Sequence, residues 1–125
     1  MIVDTNALSA FADGSSLVIA ALQAAGEVWL PVIVLGEFRY GIIHSKRHRE
    51  YEAWLAEYLP AFRVLEVTAE TASEYARLRS ELRRLGRPIP ANDIWISALC
   101  RQYDLPLLSR DAHFDHVRRL RRQTW

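Results

Sequence analysis

Four carboxylates stand out for the company they keep. Asp4 follows the apolar run Met1-Ile2-Val3, and Asp111 follows Leu105-Pro106-Leu107-Leu108 through Ser109-Arg110. Asp93 opens an almost wholly apolar segment, DIWISALCRQYD, after the two-proline loop RPIPAN. Glu37 lies among Val32, Ile33, Val34, Leu35, Phe38, Tyr40, Ile42 and Ile43, with only Arg39 as a nearby charge. Aspartate is favoured at helix N-termini by capping and by the helix dipole, so each of the three, taken singly, reads first as a cap. Glu37 has no such explanation. A carboxylate taken out of water without a partner costs several kcal/mol, so it requires an ion pair with Arg39 or a more distant arginine, a raised pKa, or a cation. If the four meet, their mutual repulsion calls for a neutralising ion. An all-oxygen donor set suits Mg2+ or Mn2+ and makes zinc a poorer candidate. Of His44, His48, His113 and His116, only the last two fall near an acid, and all four are expected to make surface or local polar contacts.

The elements that must position these acids follow from local signals. Met1–Val3 is a short buried strand, Thr5–Asp13 a helix ended by Gly14, and Ser15-Ser16 caps a second helix closed by Gly26. Thr5 and Asn6 are further capping residues for the first helix. Val28–Leu30 forms a strand, and Pro31 opens the helix that carries Glu37. Tyr51, Trp54, Leu55 and Leu59 define an amphipathic helix stopped by Pro60. Phe62–Val67 alternates as a strand does. Thr68 and Thr71 start a long helix with a strongly charged face, ended by Gly86, and Asn92 caps the helix after Asp93's loop. Leu105–Leu108 is a strand, AHFDHV a short helix, and the tail RRLRRQTW supplies a last edge strand. Strands alternating with helices from end to end predict an α/β fold with a parallel sheet covered on both faces. On that fold Asp4, Asp93 and Asp111 share one rim, where such sheets place ligands.

With 125 residues and half of them hydrophobic, the chain reads as one domain over 1–125, without repeats or low-complexity segments. A net charge of +1 by itself identifies neither a nucleic-acid nor a membrane partner. Fifteen of the sixteen basic residues are arginine, Lys46 being the exception, a bias that fits bidentate phosphate recognition and equally a GC-rich genome. A single cysteine, Cys100, inside IWISALC, excludes a disulfide framework and fits core packing in a cytoplasmic protein. No apolar run is long enough to span a membrane, and no secretory leader pattern is present.

MIVDTNALSAF, VLGEFRYGI, LRRLGRPIPANDIWISALC and LLSRDAHFDHV, taken in register, resemble the PIN-domain nucleases, and within them the VapC toxins of toxin–antitoxin modules. The resemblance spans essentially the whole chain. It implies a three-layer α/β/α fold, Mg2+- or Mn2+-dependent hydrolysis of single-stranded RNA, a homodimer, and inhibition by a cognate antitoxin. Asp4, Glu37, Asp93 and Asp111 match the acidic quartet, Asp4 and Asp93 as principal ligands. Asn6 and Ser109 match polar positions that support the metal, Ser109 standing where threonine is frequent. Asp115 falls where some members carry a further acid.

Arg83, Arg84 and Arg87, before the Asp93 loop, and Arg118, Arg119, Arg121 and Arg122 in the tail are candidate RNA contacts; a solvated helix face and a guarded edge strand explain them equally well. Two other readings fit part of the pattern. A Mg2+-dependent phosphoacceptor or phosphatase domain also sets aspartates at strand ends. It calls for a lysine beyond the acids, though, and the phosphatases for a second aspartate where Asn6 stands. A non-catalytic partner-binding module would use the same acids only as caps.

Overall fold

Residues 1–125 are described in a computed structural model. In chain order the elements are β1 (Ile2–Val3), α1 (Thr5–Ala12), α2 (Ser16–Ala25), β2 (Trp29–Pro31), α3 (Val32–Ile43) and α4 (His48–Tyr58). A 3-10 turn (Leu59–Ala61), β3 (Arg63–Leu65), α5 (Ala69–Arg84), α6 (Ala91–Tyr103), β4 (Leu107–Leu108), a second 3-10 turn (Ala112–His116) and β5 (Arg122–Gln123) follow. The five strands form one sheet in the order β3-β2-β1-β4-β5. Every neighbouring pair is parallel, and the helices flank the sheet as a three-layer α/β/α sandwich.

This order has a consequence for function. Chain direction across the sheet reverses between β1, which leads outward to β2 and β3, and β4, which leads to β5. The carboxyl ends of β1 and β4 therefore border the crevice that such a switch point opens. Register fixes what meets there. Val3 pairs with Leu108, and the Asp4 amide donates to the Leu108 carbonyl at 3.3 Å, so Asp4 and Ser109 emerge side by side.

The expected elements all form, with shifts at their edges. β2 covers Trp29–Pro31 where 28–30 was expected, because a proline can close a strand at its last residue before the helix. β3 and β4 are shorter than their apolar runs, and α1 ends at Ala12, with Asp13 as C-cap. Thr68 and Thr71 form a reciprocal capping box at the start of α5. Asn92 is not the cap of α6. That position belongs to Pro90, whose carbonyl accepts from the Asp93 and Ile94 amides at 3.0 and 3.1 Å, leaving Asn92 in the first helical turn. Asp4, not Thr5 or Asn6, caps α1, accepting from the Ala7 amide at 2.8 Å.

The main core of 19 buried residues lies around the central strands, from Ile2 and Val3 through Leu30 and Val34 to Leu107 and Phe114. Cys100 belongs to it, and burial pushes its thiol up to about 12, as expected of packing rather than chemistry. A smaller cluster, Leu78, Leu82, Ile89, Ile94 and Val117, joins α5 to the entry of α6.

The α5–α6 interface carries an ion-pair network as well. The Arg101 side chain is 4% exposed. It donates through Nε to Glu74 at 3.2 Å and through Nη1 and Nη2 to both Glu81 oxygens at 2.8 and 3.2 Å. Arg101 holds the Glu81 carboxyl below its usual range chiefly through this hydrogen bonding. Arg77, on the solvent side, adds a second guanidinium to Glu74. Arg101→Ala would leave Glu74 with only its exposed partners Arg77 and, at 3.8 Å, Arg119, and should lower unfolding stability by about 3 kcal/mol in urea titrations. That is the low end for a buried pair, since Glu81 keeps part of its side chain in water. A loss below about 1 kcal/mol would show the network to be an ordinary surface pair.

Candidate active site

Asp4 is 4% exposed, deeper than any other acid of the quartet. Its two oxygens are divided between tasks: Oδ1 caps α1, and Oδ2 accepts a hydrogen bond from the buried Ser109 hydroxyl. The Ser109 oxygen in turn accepts the Asp111 amide at 3.0 Å. A single hydroxyl thus couples the end of β1 to the loop after β4, and the parallel register supplies that coupling without any specialised turn. Asp111 caps the 3-10 turn through the His113 amide at 3.2 Å.

Asp93 stands in the first turn of α6, half-buried and turned to the same crevice. His113 joins it to Asp111. One ring nitrogen of His113 lies 2.7 Å from Asp93 Oδ2 and the other 2.7 Å from Asp111 Oδ1. Donor atoms of Asp93, Asp111 and His113 fall within 4.8 Å of one another, close enough to share one cation. From sequence His113 reads as a surface or local polar contact; the fold makes it a third donor beside the two acids. The signal was present in the Asp111-x-His113 spacing, which a one-turn 3-10 helix folds back on itself, but a two-residue spacing alone did not reveal that turn.

Glu37 enters from α3. Its Oε2 accepts from the Thr5 hydroxyl at 2.9 Å, whereas Oε1 is buried with no hydrogen-bond partner. The ion pair weighed for Glu37 does not form, since Arg39 faces Glu52 at 3.8 Å on the surface. An orphaned buried acceptor is uncommon and calls for a hydrogen donor or a cation.

Asp4 and Asp93 feel their acidic neighbours. Burial pushes the Asp4 carboxyl above its usual range, opposed by its Ser109 and Ala7 hydrogen bonds and aided by the charges of Asp93 and Asp111. Burial also raises Asp93, against the pull of His113 and with the help of Glu37 and Asp111. Asp93, Asp111 and His113 thus offer donors within reach of one cation, Asp4 is joined to Asp111 through Ser109, and the charge of Glu37 acts on Asp93, an oxygen-rich surrounding that fits a divalent cation. Of the other supporting residues, Asn6 makes no side-chain contact to the acids and Asp115 is engaged elsewhere. Asn6 is exposed on the first turn of α1. Asp115 turns away to a bidentate pair with Arg122, both contacts at 2.7 Å, and Arg122 also donates to the Ser109 carbonyl at 3.1 Å. Asp115 thus pins the C-terminal strand beside the site and does not join the cluster.

The PIN-domain family profile matches residues 1–120. Ribonuclease VapC2 of Haemophilus influenzae is 29% identical over 104 residues, covering 82% of this chain and 79% of the relative. Toxin FitB of Neisseria gonorrhoeae is 30% identical over 92 residues, covering 69% and 66%. Among solved structures, VapBC2 from Rickettsia felis bound to a DNA fragment from its promoter superimposes with a TM-score of 0.91 at 22% identity, over 99% of this chain and 97% of that one. Fold and site together define an α/β/α domain with a carboxylate cluster at its switch point. The chain belongs to the PIN-domain family, in its VapC branch.

A raised carboxyl binds its proton more tightly in the folded chain than in the unfolded one. The stability contributed by Asp4 is therefore complete below the ordinary aspartate range and is lost as pH rises through the raised value. At neutral pH and without metal, the ionised cluster works against folding. Asp4→Asn in EDTA should melt at least as high as the unsubstituted protein at pH 7, by up to about 5 °C, and the advantage should vanish as pH falls toward about 4. A variant melting several degrees lower at pH 7 would show that the Asp4 hydrogen bonds outweigh the repulsion.

Proposed function

We propose that this protein is a divalent-metal-dependent endoribonuclease, the toxin of a toxin–antitoxin pair, that hydrolyses phosphodiester bonds in single-stranded or looped RNA. The observation that carries the reading is the convergence of Asp4, Glu37, Asp93 and Asp111 from four separate elements. Helix capping accounts for one of the two Asp4 oxygens and for neither oxygen of Glu37. A partner-binding module has no use for a buried, unpartnered carboxylate oxygen. The phosphatase alternative lacks its second aspartate, because position 6 is Asn6, exposed on α1.

Asp93 and Asp111, with His113 beside them, have donor atoms close enough to share Mg2+ or Mn2+, and Asp4, tied to Asp111 through Ser109, would complete the site. Such an ion lowers the pKa of a bound water and offsets charge on the phosphate. The protein's own groups do the positioning. Ser109 fixes the Asp4 carboxylate and ties it to Asp111, so that the two cannot drift apart. Thr5 holds Glu37 by Oε2 and leaves Oε1 buried without a hydrogen-bond partner. Relatives support the biological setting: they are named ribonucleases and toxins, and solved neighbours include VapBC and FitAB complexes. On that basis the chain would act in the cytoplasm as a homodimer held by a cognate antitoxin. No single helix is long and apolar enough to cross a membrane.

Asp93→Asn removes a ligand while keeping the side chain's shape. It should reduce Mn2+-dependent cleavage of a structured RNA by about 100-fold or more, with an unchanged circular-dichroism spectrum. Undiminished cleavage would remove Asp93 from the site.

A further inference from the structure

Beside the acid cluster, on the other flank of the first turn of α6, lies a groove of about 490 Å³. Leu82, Ile89 and Ile94 form its apolar floor, Pro88 one wall, and Arg79 and Arg83 its rim. The floor residues belong to the small core between α5 and α6, so the groove is backed by packed structure. Gly86, at φ +66°, makes the turn that brings the Arg87–Pro90 segment back over α5. Few other residues adopt that backbone conformation without strain.

The charge around this groove is one-sided. Arg79, Arg83, Arg84 and Arg87 are all exposed, and none makes an ion pair, whereas Arg77, Arg101, Arg121 and Arg122 are each bound to a carboxylate. Arg79 is held in place: it donates to the Tyr75 hydroxyl at 2.8 Å, and Tyr75 stacks on Trp95 with ring centroids 4.0 Å apart. An apolar slot rimmed by unneutralised guanidinia, one of them held by Tyr75, suits a group with a flat apolar face and an anionic tether. A nucleotide of a single strand is such a group. Ile94 on the floor adjoins Asp93 in sequence, on neighbouring faces of one helical turn, so the groove and the carboxylates are separated by about the width of a helix, roughly 10 Å.

We propose that this groove is a nucleotide subsite that binds the RNA strand next to the scissile phosphate, the base lying over Leu82, Ile89 and Pro88 and the flanking phosphates on Arg79 and Arg83. The assignment rests on the ribonuclease reading and adds to it where the strand lies and which residues hold it. It gives Arg83 a place in recognition and adds Arg79, whose partner Tyr75 links it to Trp95, two residues beyond Asp93.

The test is the affinity of a fluorescein-labelled oligouridylate, read by anisotropy in EDTA, where metal-dependent cleavage is off. Arg79→Ala/Arg83→Ala should weaken binding at least about 10-fold and lower the salt slope by about 2, while Arg49→Ala, a change at an exposed arginine on α4, has little effect. Pro88→Asp, at an exposed wall position outside the core, should weaken binding as well without lowering the melting temperature. Equal losses from the groove pair and from Arg49→Ala would overturn the subsite, as would unchanged affinity in the groove variants. The two readings fail separately. Normal cleavage by the unsubstituted protein together with normal binding by the groove variants sinks the subsite alone, and a protein that neither binds nor cleaves RNA sinks both.

Discussion

The structure depends on one constraint: a carboxylate must be kept at the end of β1, almost out of water. Asp4 satisfies it by giving one oxygen to the first turn of α1 and the other to Ser109, whose position is set by the parallel pairing of β1 with β4. Much of the architecture serves this arrangement. The switch in strand order opens the crevice, the two-residue strands end abruptly enough to deliver Asp4 and Ser109 together, and Arg122 fastens the last strand to the Ser109 carbonyl and to Asp115. The remaining acids then add charge that the fold only partly compensates. Burial raises the carboxyls of Asp4 and Asp93, their acidic neighbours add to it, and a bound cation would offset both effects.

Arginine is used in two distinct ways. Arg101, buried between Glu74 and Glu81, and Arg122, on Asp115, are internal fasteners whose forked geometry suits bidentate pairing. The arginines from Arg79 to Arg87 have no acidic partners, although acids are as common as bases in the chain. A near-neutral protein thereby presents a locally basic surface next to an acidic centre. Net charge reports neither.

The fold was largely legible in the sequence because its signals are local and mutually consistent. The apolar runs, the capping residues Ser15 and Thr68, and the glycines after α1, α2 and α5 each mark an element, and alternation of strands and helices leaves a parallel sheet as the natural outcome. Errors lie where two local rules compete. Asn92 is a good capping residue, but Pro90 reaches the cap position first, with its φ already set for it. Thr5 and Asn6 are good caps too, but Asp4 takes the position, which frees the Thr5 hydroxyl to hold Glu37. The site was legible only in part, because its closing contacts are long-range. The bond between Ser109 and Asp4 spans 105 residues of sequence. His113 reaches Asp93 only through the fold-back of a 3-10 turn, and Asp115, one of three closely spaced acidic and histidine positions after Asp111, points the other way. Residue type marked all of these positions; only the register and the turn decide which of them face the crevice.

The chemistry proposed for the crevice requires that it hold a cation. Crystals grown with millimolar Mn2+ and measured at its absorption edge would show this directly. The expected result is an anomalous peak bonded to carboxylate oxygens of the cluster, Asp93 and Asp111 among them, with Asp4, Glu37 and His113 around it. A crevice without such a peak, or a peak held by other residues, would contradict it.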